Sequence, residues 1–439
     1  MKRLHAPPAY DPAFPASHWA RSVALTADAP LAGAARCEVA VIGAGYAGLN
    51  AALALARDHG RGVRVLEAAE TGWGASGRNG GFCCIGGAKL SGAQVAARVG
   101  AAGAADWARW QRAAIDHVAG LIDAAGIPAR QGPEGEVLLA HSPRAWNAFV
   151  AEGEGELVPR AALAERGLAG PAFFGAKITP EGFPLDPMTY LQGLARLARA
   201  ADVVLHGQSP VTGLAPCRDG WRLTTPGGAL VAGQVLIATN GYSSEDLPGW
   251  MAGRYMPAFS AVMVTRPLSG PERRAQGFTT PLMSYDSRVL LHYFRHLPDG
   301  RFLFGMRGGL SARAVPEART HARVARHFAT LFPAWAGVEV ESRWSGLVCL
   351  TGSLAPYVGP VPGAEGLYAA FGWHGNGVAA GSYGGLQAAR LMAGAASDRP
   401  ALIAAPPARL PGPGRLRRAG LAASYLGYAL KDGPLPARG

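Results

Sequence analysis

The 439-residue chain is short of charge, of lysine and of long apolar runs. Charged residues make up 16 % of it, against about 25 % in an average soluble protein. Lysine stands only at positions 2, 89, 177 and 431, so nearly all the positive charge is arginine, and the formal net charge is +12. Such a field attracts anions without identifying them. No basic stripe interleaved with aromatic residues is present, which argues against nucleic acid as a partner. The five cysteines, Cys37, Cys83, Cys84, Cys217 and Cys349, show neither C-x-x-C nor Cys/His spacing. Neither a disulfide framework nor a metal site is therefore expected. No apolar run approaches the length of a spanning helix, and the first residues lack the apolar stretch of a secretory leader. A cytoplasmic location is the expectation.

What is present is a large apolar share, 49 %, with 61 glycines and 34 prolines. That is enough for a core with many tight turns. Residues 39–42 read as a buried strand, Tyr46 to His59 as a helix stopped by Gly60, and residues 63–66 as the next strand. Helices are expected over 98–125, 187–200, 315–332 and 376–393, and strands over 137–140, 173–178, 203–206, 221–225, 231–237 and 366–372. Residues 255–310 alternate with period 2 around Asp-Gly turns and read as an antiparallel sheet. Strand and helix then return. The fold class expected is α/β, with a Rossmann-like domain assembled from several segments and an inserted antiparallel sheet domain. The segments are an arm at 1–36, nucleotide-binding parts at 37–95, 176–254 and 341–398, sheet-domain parts at 96–175 and 255–340, and a Pro-rich linker with a basic tail at 399–439.

Gly43-Ala44-Gly45-Tyr46-Ala47-Gly48 is G-x-G-x-x-G between a predicted strand and helix, the context a dinucleotide site requires. Gly43 permits the turn, Gly45 admits the pyrophosphate, and Gly48 lets helix and sheet pack. The helix N-terminus offers amides to phosphate. Glu67 ends the second strand, where a carboxylate accepts from ribose hydroxyls and repels a ribose phosphate, so NADP is disfavoured. No second well-formed G-x-G-x-x-G follows. The loop GASGRNGG, 74–81, can thread backbone amides beside a cofactor, with Ser76, Arg78 and Asn79 as polar contacts.

With these motifs the chain resembles the FAD-dependent amine and amino-acid oxidoreductases of the D-amino-acid oxidase superfamily. It is most similar to the gamma-glutamylputrescine oxidase branch, in RWSGLVCLTGSLAPYVGPV (343–361) and GLYAAFGWHGNGVAAGSYGGLQAARLMAG (366–394). The resemblance implies one FAD. Carried over by position, its contacts are Gly43, Gly45, Tyr46, Ala47, Gly48, Glu67, Ala68, Ala75, Ser76, Arg78, Asn79, Gly80, Gly81, Val211 and Gly241. In the closing segments they are Gly346, Gly375, Asn376, Gly377 and Val378. The implied reaction is oxidation of a primary or secondary amine by hydride loss to FAD, imine hydrolysis and reoxidation by O2 with H2O2 release. Gamma-glutamyl polyamines, cyclic imino acids and related amino acids all remain open as substrates. A dehydrogenase using a quinone or protein acceptor, and a non-catalytic flavin-binding subunit, are the alternatives.

For the catalytic end, His374 and Trp373 stand in the implied near-flavin turn, and Tyr293, Arg295 and Arg307 in the substrate sheet. Tyr285 and His292 are further pocket candidates there. Strand alternation places His292 opposite Tyr293 and Arg295. Sarcosine-oxidase-like members place a carboxylate-holding lysine shortly after the turn at His374; this chain has none there. A small glycine-like acid is therefore not the expected substrate, and Arg307 or Arg295 is left to read any carboxylate. Cys349 is displaced from the position that bonds flavin in those members, so FAD is expected to be non-covalent. The basic tail, 415–432, could dock on its own chain or touch a membrane surface, with Leu416, Leu421, Leu426 and Leu430 on one face; docking is the favoured expectation.

Overall fold

Two eight-stranded sheets carry the fold in the computed structural model, which describes residues 1–435. The end of the expected tail segment, 436–439, lies outside the described residues. The main path of the first sheet runs, in space, Tyr357–Pro360, Leu367–Phe371, Gly228–Ile237, Gly33–Ile42, Val63–Leu66 and Val204–His206, and Gly220–Thr225 and Gly213–Cys217 add an antiparallel extension on Gly228–Ile237. Its four central pairings from Leu367–Phe371 to Val204–His206 are parallel. Val39 and Val41 enter one apolar cluster and Ala40 and Ile42 another, so the strand is buried on both faces. The first strand starts at Gly33, inside the expected arm.

Helix Tyr46–His59 follows the glycine turn and ends on Gly60, which is left-handed with φ 61°. Gly48 lets the helix close onto the turn: a Cβ there would lie 1.9 Å from the Gly43 carbonyl oxygen. The last large helix of this layer, Ala379–Met392, crosses the first at Gly385, where a Cβ would lie 2.2 Å from Ala47 O. It begins three residues later than the sequence pattern suggested.

The second sheet runs Val340–Thr351, Tyr255–Thr265, Phe302–Arg307, His292–His296, Met283–Asp286, Glu136–Leu139, Gly175–Thr179 and Glu156–Pro159. It is not wholly antiparallel. Met283–Asp286 and Glu136–Leu139 pair in parallel, because the helix-containing segment between residues 139 and 283 returns the chain to the same end. Gly175–Thr179 and Val340–Thr351 both belong to this sheet, so the expected boundaries at 175/176 and 340/341 fall within or beside its strands. Phe294, Phe302, Phe304, Phe328 and Phe332 fill its outer face under helix Ala314–Leu331.

The N-terminal arm and the C-terminal helix, Gly414–Asp432, are knit together. Arg417 meets Glu245 at 2.5 Å, Arg418 donates to Leu4 O, and Asp432 accepts from the amides of Val289 and Leu290 at 2.7 and 2.9 Å. The tail's leucines do not share one buried face: Leu421 packs inward, while Leu416, Leu426 and Leu430 are 59, 71 and 85 % exposed. Among the described residues no helix is long and apolar enough to cross a membrane.

The closeness at Gly48 makes a direct test. Gly48→Ala is expected to destabilise the chain by about 3 kcal/mol, because backbone meets backbone and neither can yield. Gly420→Ala, on an exposed helix with open space around it, is expected to stabilise by up to about 1 kcal/mol. Urea midpoints of the two variants compare them directly, and equal midpoints would contradict the packing argument.

Candidate active site

A cleft opens where the carboxyl ends of the first sheet's strands, at Ile42, Leu66 and Ile237, meet the inner face of the second sheet. At one end lies the glycine turn. Gly43 has φ 106° and Gly45 carries no side chain to fill the approach. The helix behind them has no N-cap side chain; Ser76 Oγ takes its first amide, at Tyr46, and no side chain caps the amides that follow. Glu67 reaches back into the turn, its carboxylate accepting from Ala44 N at 2.8 Å and Ala69 N at 3.2 Å. Burial pushes this carboxyl up and those backbone donors pull it down. Ala68 and Val211 line the same end.

The loop at 74–81 forms the middle of the cleft. Ser76 Oγ accepts from Tyr46 N at 3.1 Å. Asn79 spends its amide on the loop itself, donating to Ser76 O at 2.9 Å and accepting from Gly81 N at 2.9 Å. Arg78 donates to Trp73 O at 2.6 Å and Ser345 O at 3.2 Å. Ala47, Ala75 and Gly80 line the cleft here and Gly346 faces them. Gly80 makes room for the Tyr293 ring, which a Cβ would approach to 3.0 Å.

At the far end stand Trp373, Gly375, Asn376, Gly377 and Val378 from the turn before the final helix, and Tyr285, Tyr293 and Arg307 from the second sheet. Asn376 donates to Ile85 O at 3.0 Å. Helix Ala379–Met392 also lacks a side-chain N-cap and starts at this end. Tyr293 OH meets Ser260 Oγ at 3.0 Å. Arg307 donates to the His374 carbonyl at 2.9 Å and makes no ion pair among the described residues. Desolvation by burial holds its pKa below the ordinary arginine value.

Two expected catalytic side chains do not line the cleft. His374 is 0 % exposed. Its Nε2 accepts from Thr351 N at 3.1 Å, so Nδ1 carries the proton and donates to Gly87 O at 2.9 Å. It is a neutral histidine that holds two backbone segments together, and burial pushes its pKa down to about 3. Arg295 is also fully buried. It donates to Gly80 O, Leu185 O and Gln131 Oε1, each at 2.9 Å, and braces the loop rather than facing a ligand. His292 points to the opposite face, bonded to Asp286 at 2.6 Å and His327 at 2.7 Å. Gly48, Gly81 and Gly241 serve close packing behind the cleft. Trp373 lines it and also lies on the small-residue face of the final helix, where a Cβ at Gly384 would come within 2.4 Å of the ring.

Sequence reasoning passed over Lys89, Cys84 and Trp73, and the arm residues Arg3 and Tyr10, all of which line the cleft. For Lys89 a signal existed: one of four lysines, directly after the glycine-rich run. Glu136 stands behind Tyr285, which donates to it at 3.1 Å, and burial pushes its carboxyl up to about 7.

A parallel sheet with a phosphate-ready turn, opening on a cleft that a second sheet closes, defines a dinucleotide-dependent oxidoreductase with one nucleotide site. The family described as FAD dependent oxidoreductase (DAO) matches residues 38–391, and the chain belongs to it. It is 30 % identical over 415 residues to a probable oxidoreductase OrdL of Rhizobium meliloti (strain 1021), covering 91 % of this chain and 93 % of that one. It is 28 % identical over 413 residues to the gamma-glutamylputrescine oxidoreductase of Escherichia coli (strain K12), covering 90 and 93 %. Among solved structures, glycine oxidase from Geobacillus kaustophilus superposes with a TM-score of 0.67 at 22 % identity, over 83 % of this chain and 96 % of that one. The protein is thus an FAD-dependent oxidoreductase. The cleft suits that cofactor: the turn is bare of side chains at Gly43 and Gly45, and uncapped helix N-termini stand at both ends.

The tautomer of His374 has a consequence for stability. An unfolded histidine titrates near 6.5, the folded one near 3. The unfolded chain therefore takes up a proton first, and native stability falls as pH drops from about 6.5 towards 3. His374→Gln is expected to be less stable at pH 7 but to lack this fall. The wild-type advantage in urea should shrink by up to about 1.4 kcal/mol per pH unit between pH 6 and pH 4. An advantage independent of pH would refute the buried neutral histidine.

Proposed function

We propose that the chain oxidises a primary or secondary amine carrying a carboxylate remote from the reacting nitrogen, with O2 as acceptor and H2O2 as co-product. The observation that carries this is Arg307, a permanent cation that lines the far end of the cleft without an acid partner among the described residues. An unpaired guanidinium in a largely enclosed cleft favours an anionic group in the ligand. The gamma-glutamylputrescine oxidoreductase relative supports a gamma-glutamyl amine as that ligand.

When bound, FAD supplies a two-electron acceptor for the amine C–H. The chain's own residues do the rest. The turn at Gly43–Gly45 and the amides behind it would hold the pyrophosphate, Glu67 the ribose and Val211 the adenine. Gly346, Gly375, Gly377 and the start of the final helix would hold the flavin end. Arg307, fixed by the His374 carbonyl, presents its remaining N–H groups to a carboxylate. Tyr293 and Tyr285 wall the space beside it. Cys349 and Cys84 both line the cleft, and burial pushes both thiols up. Neither is held as a thiolate, which supports non-covalent FAD.

Measurements on the cofactor and on the substrate test this reading. Acid precipitation is expected to leave FAD in the supernatant; flavin retained by the denatured protein would overturn non-covalent binding. Glu67→Ala is expected to weaken FAD binding to the apoprotein about tenfold, the worth of one charge-assisted hydrogen bond. Anaerobic flavin bleaching should be fastest with a gamma-glutamyl diamine, ahead of a cyclic imino acid, a free diamine and sarcosine. Arg307→Leu should raise the conjugate's Kd about 100-fold with FAD retained. Sarcosine as the fastest substrate would sink the remote-carboxylate reading, and reduced flavin stable in air would replace the oxidase by a dehydrogenase.

A further inference from the structure

Lys89 sits on the loop after the strand Phe82–Cys83. Its backbone N–H donates to Leu354 O at 2.8 Å, which fixes the root of the side chain. The side chain lines the cleft at the end where Arg307 stands. Among the described residues its Nζ has no hydrogen bond and no ion pair. The other three lysines of the chain lie outside the cleft lining.

The groups around it come from several elements. Arg307, from the strand Phe302–Arg307, is a permanent cation and repels a lysine ammonium. Cys84, from the same loop as Lys89, is held as the neutral thiol by burial. His374, in the turn before the final helix, has its one lone pair bound to the Thr351 amide and is neutral. Tyr293 and Tyr285, which line the same end, are kept in the phenol form by burial. Glu136 already accepts from Tyr285. No anion is in place to hold Lys89 as a cation.

We propose that Lys89 is the catalytic base that takes the proton from the substrate's ammonium group inside the cleft. This rests on the amine reading above. An amine is mostly protonated at neutral pH, and an ammonium nitrogen has no lone pair to support loss of hydride from the adjacent carbon. The step is a simple exchange: the substrate N–H bond breaks, its electron pair stays on nitrogen, and the proton goes to Lys89 Nζ. The substrate ammonium becomes a free amine and Lys89 becomes an ammonium, with total charge unchanged. Burial, and Arg307 after it, hold the free Lys89 well below the ordinary lysine pKa, so it is ready to accept. A substrate carboxylate arriving at Arg307 then offsets the charge that Lys89 gains. The proton is taken up only when the right ligand is present.

The test uses the FAD-loaded enzyme in two arms. Competitive acylation with acetic anhydride from pH 6 to 11, read by peptide mass spectrometry, reports the titration of Lys89 without turnover. Lys89 is expected to become reactive at lower pH than the chain's other lysines; an identical pH profile overturns the proposal. In the second arm, anaerobic reduction by a gamma-glutamyl diamine is followed in Lys89→Met and Lys89→Arg. Both are expected to slow reduction at pH 7 by about 100-fold or more. Their rates should climb about tenfold per pH unit towards the substrate's own pKa, since only pre-formed free amine can react. Binding of an amine-free carboxylate analogue should change by less than about threefold in Lys89→Met, which, like the free Lys89, puts no charge beside Arg307. Full reduction rate in Lys89→Arg would show Lys89 to be a fixed cation and overturn its role as base. A wild-type flavin bleached by no amine overturns the amine reading, and this proposal with it. A bleached wild type with unaffected variants overturns the role of Lys89 alone.

Discussion

Four backbone carbonyls in the loop at 76–80 hold the molecule together. A glycine-rich loop has few side chains to cover its own peptide groups, and a buried carbonyl without a donor is costly. Here each donor comes from elsewhere. Tyr46 of the first helix donates to Ser76 O at 2.9 Å, Trp344 of the second sheet to Arg78 O at 2.8 Å, Trp19 of the arm to Asn79 O at 2.7 Å, and Arg295 of the second sheet to Gly80 O at 2.9 Å. The wall of the cleft is thus also the joint between the two sheets and the arm. That explains why the loop can be so poor in apolar residues and still be ordered. Arg295, fully buried, is held there by three acceptors, two of them backbone carbonyls.

The cleft is electrostatically divided. One end presents open helix amides and Glu67, a donor-rich surface for phosphate with one acceptor for hydroxyls. The other end concentrates Arg307 and Lys89 and keeps its acid, Glu136, behind Tyr285. In a narrow, mostly apolar space these charges are weakly screened. The two uncapped helices point their N-termini into the same space from opposite ends, and both favour negative charge there. A long cofactor with anionic phosphates and an electron-accepting ring, followed by an anionic ligand, matches that division.

Local pattern made much of this legible. The first strand, turn and helix were readable because hydrophobic period, glycine spacing and the stop at Gly60 all lie within about two dozen consecutive residues. The glycine loop was readable as a cleft wall because its run of small and polar residues cannot build a core. His374 was misread because a polar residue in a loop between glycines looks exposed. Only the backbone amide of Thr351 and the carbonyl of Gly87, both distant in sequence, show it to be a buried strut. Arg295 was misread for a related reason: strand alternation puts it on the correct face, but its neighbours there are carbonyls of residues 80 and 185. Lys89 was missed because its partner Arg307 lies more than two hundred residues away.

The sequence by itself determined the family and the α/β class, because these depend on short-range periodicity and on glycines whose backbone role does not require a distant partner. Tertiary structure alone decided which strands share a sheet, which polar side chains face the cleft and which are consumed by backbone groups. It also decided that Lys89 and Arg307 line one end of the cleft without an ion-pair partner among the described residues. Those outcomes depend on burial and on hydrogen-bond partners far along the chain, and neither is written in the spacing of neighbouring residues.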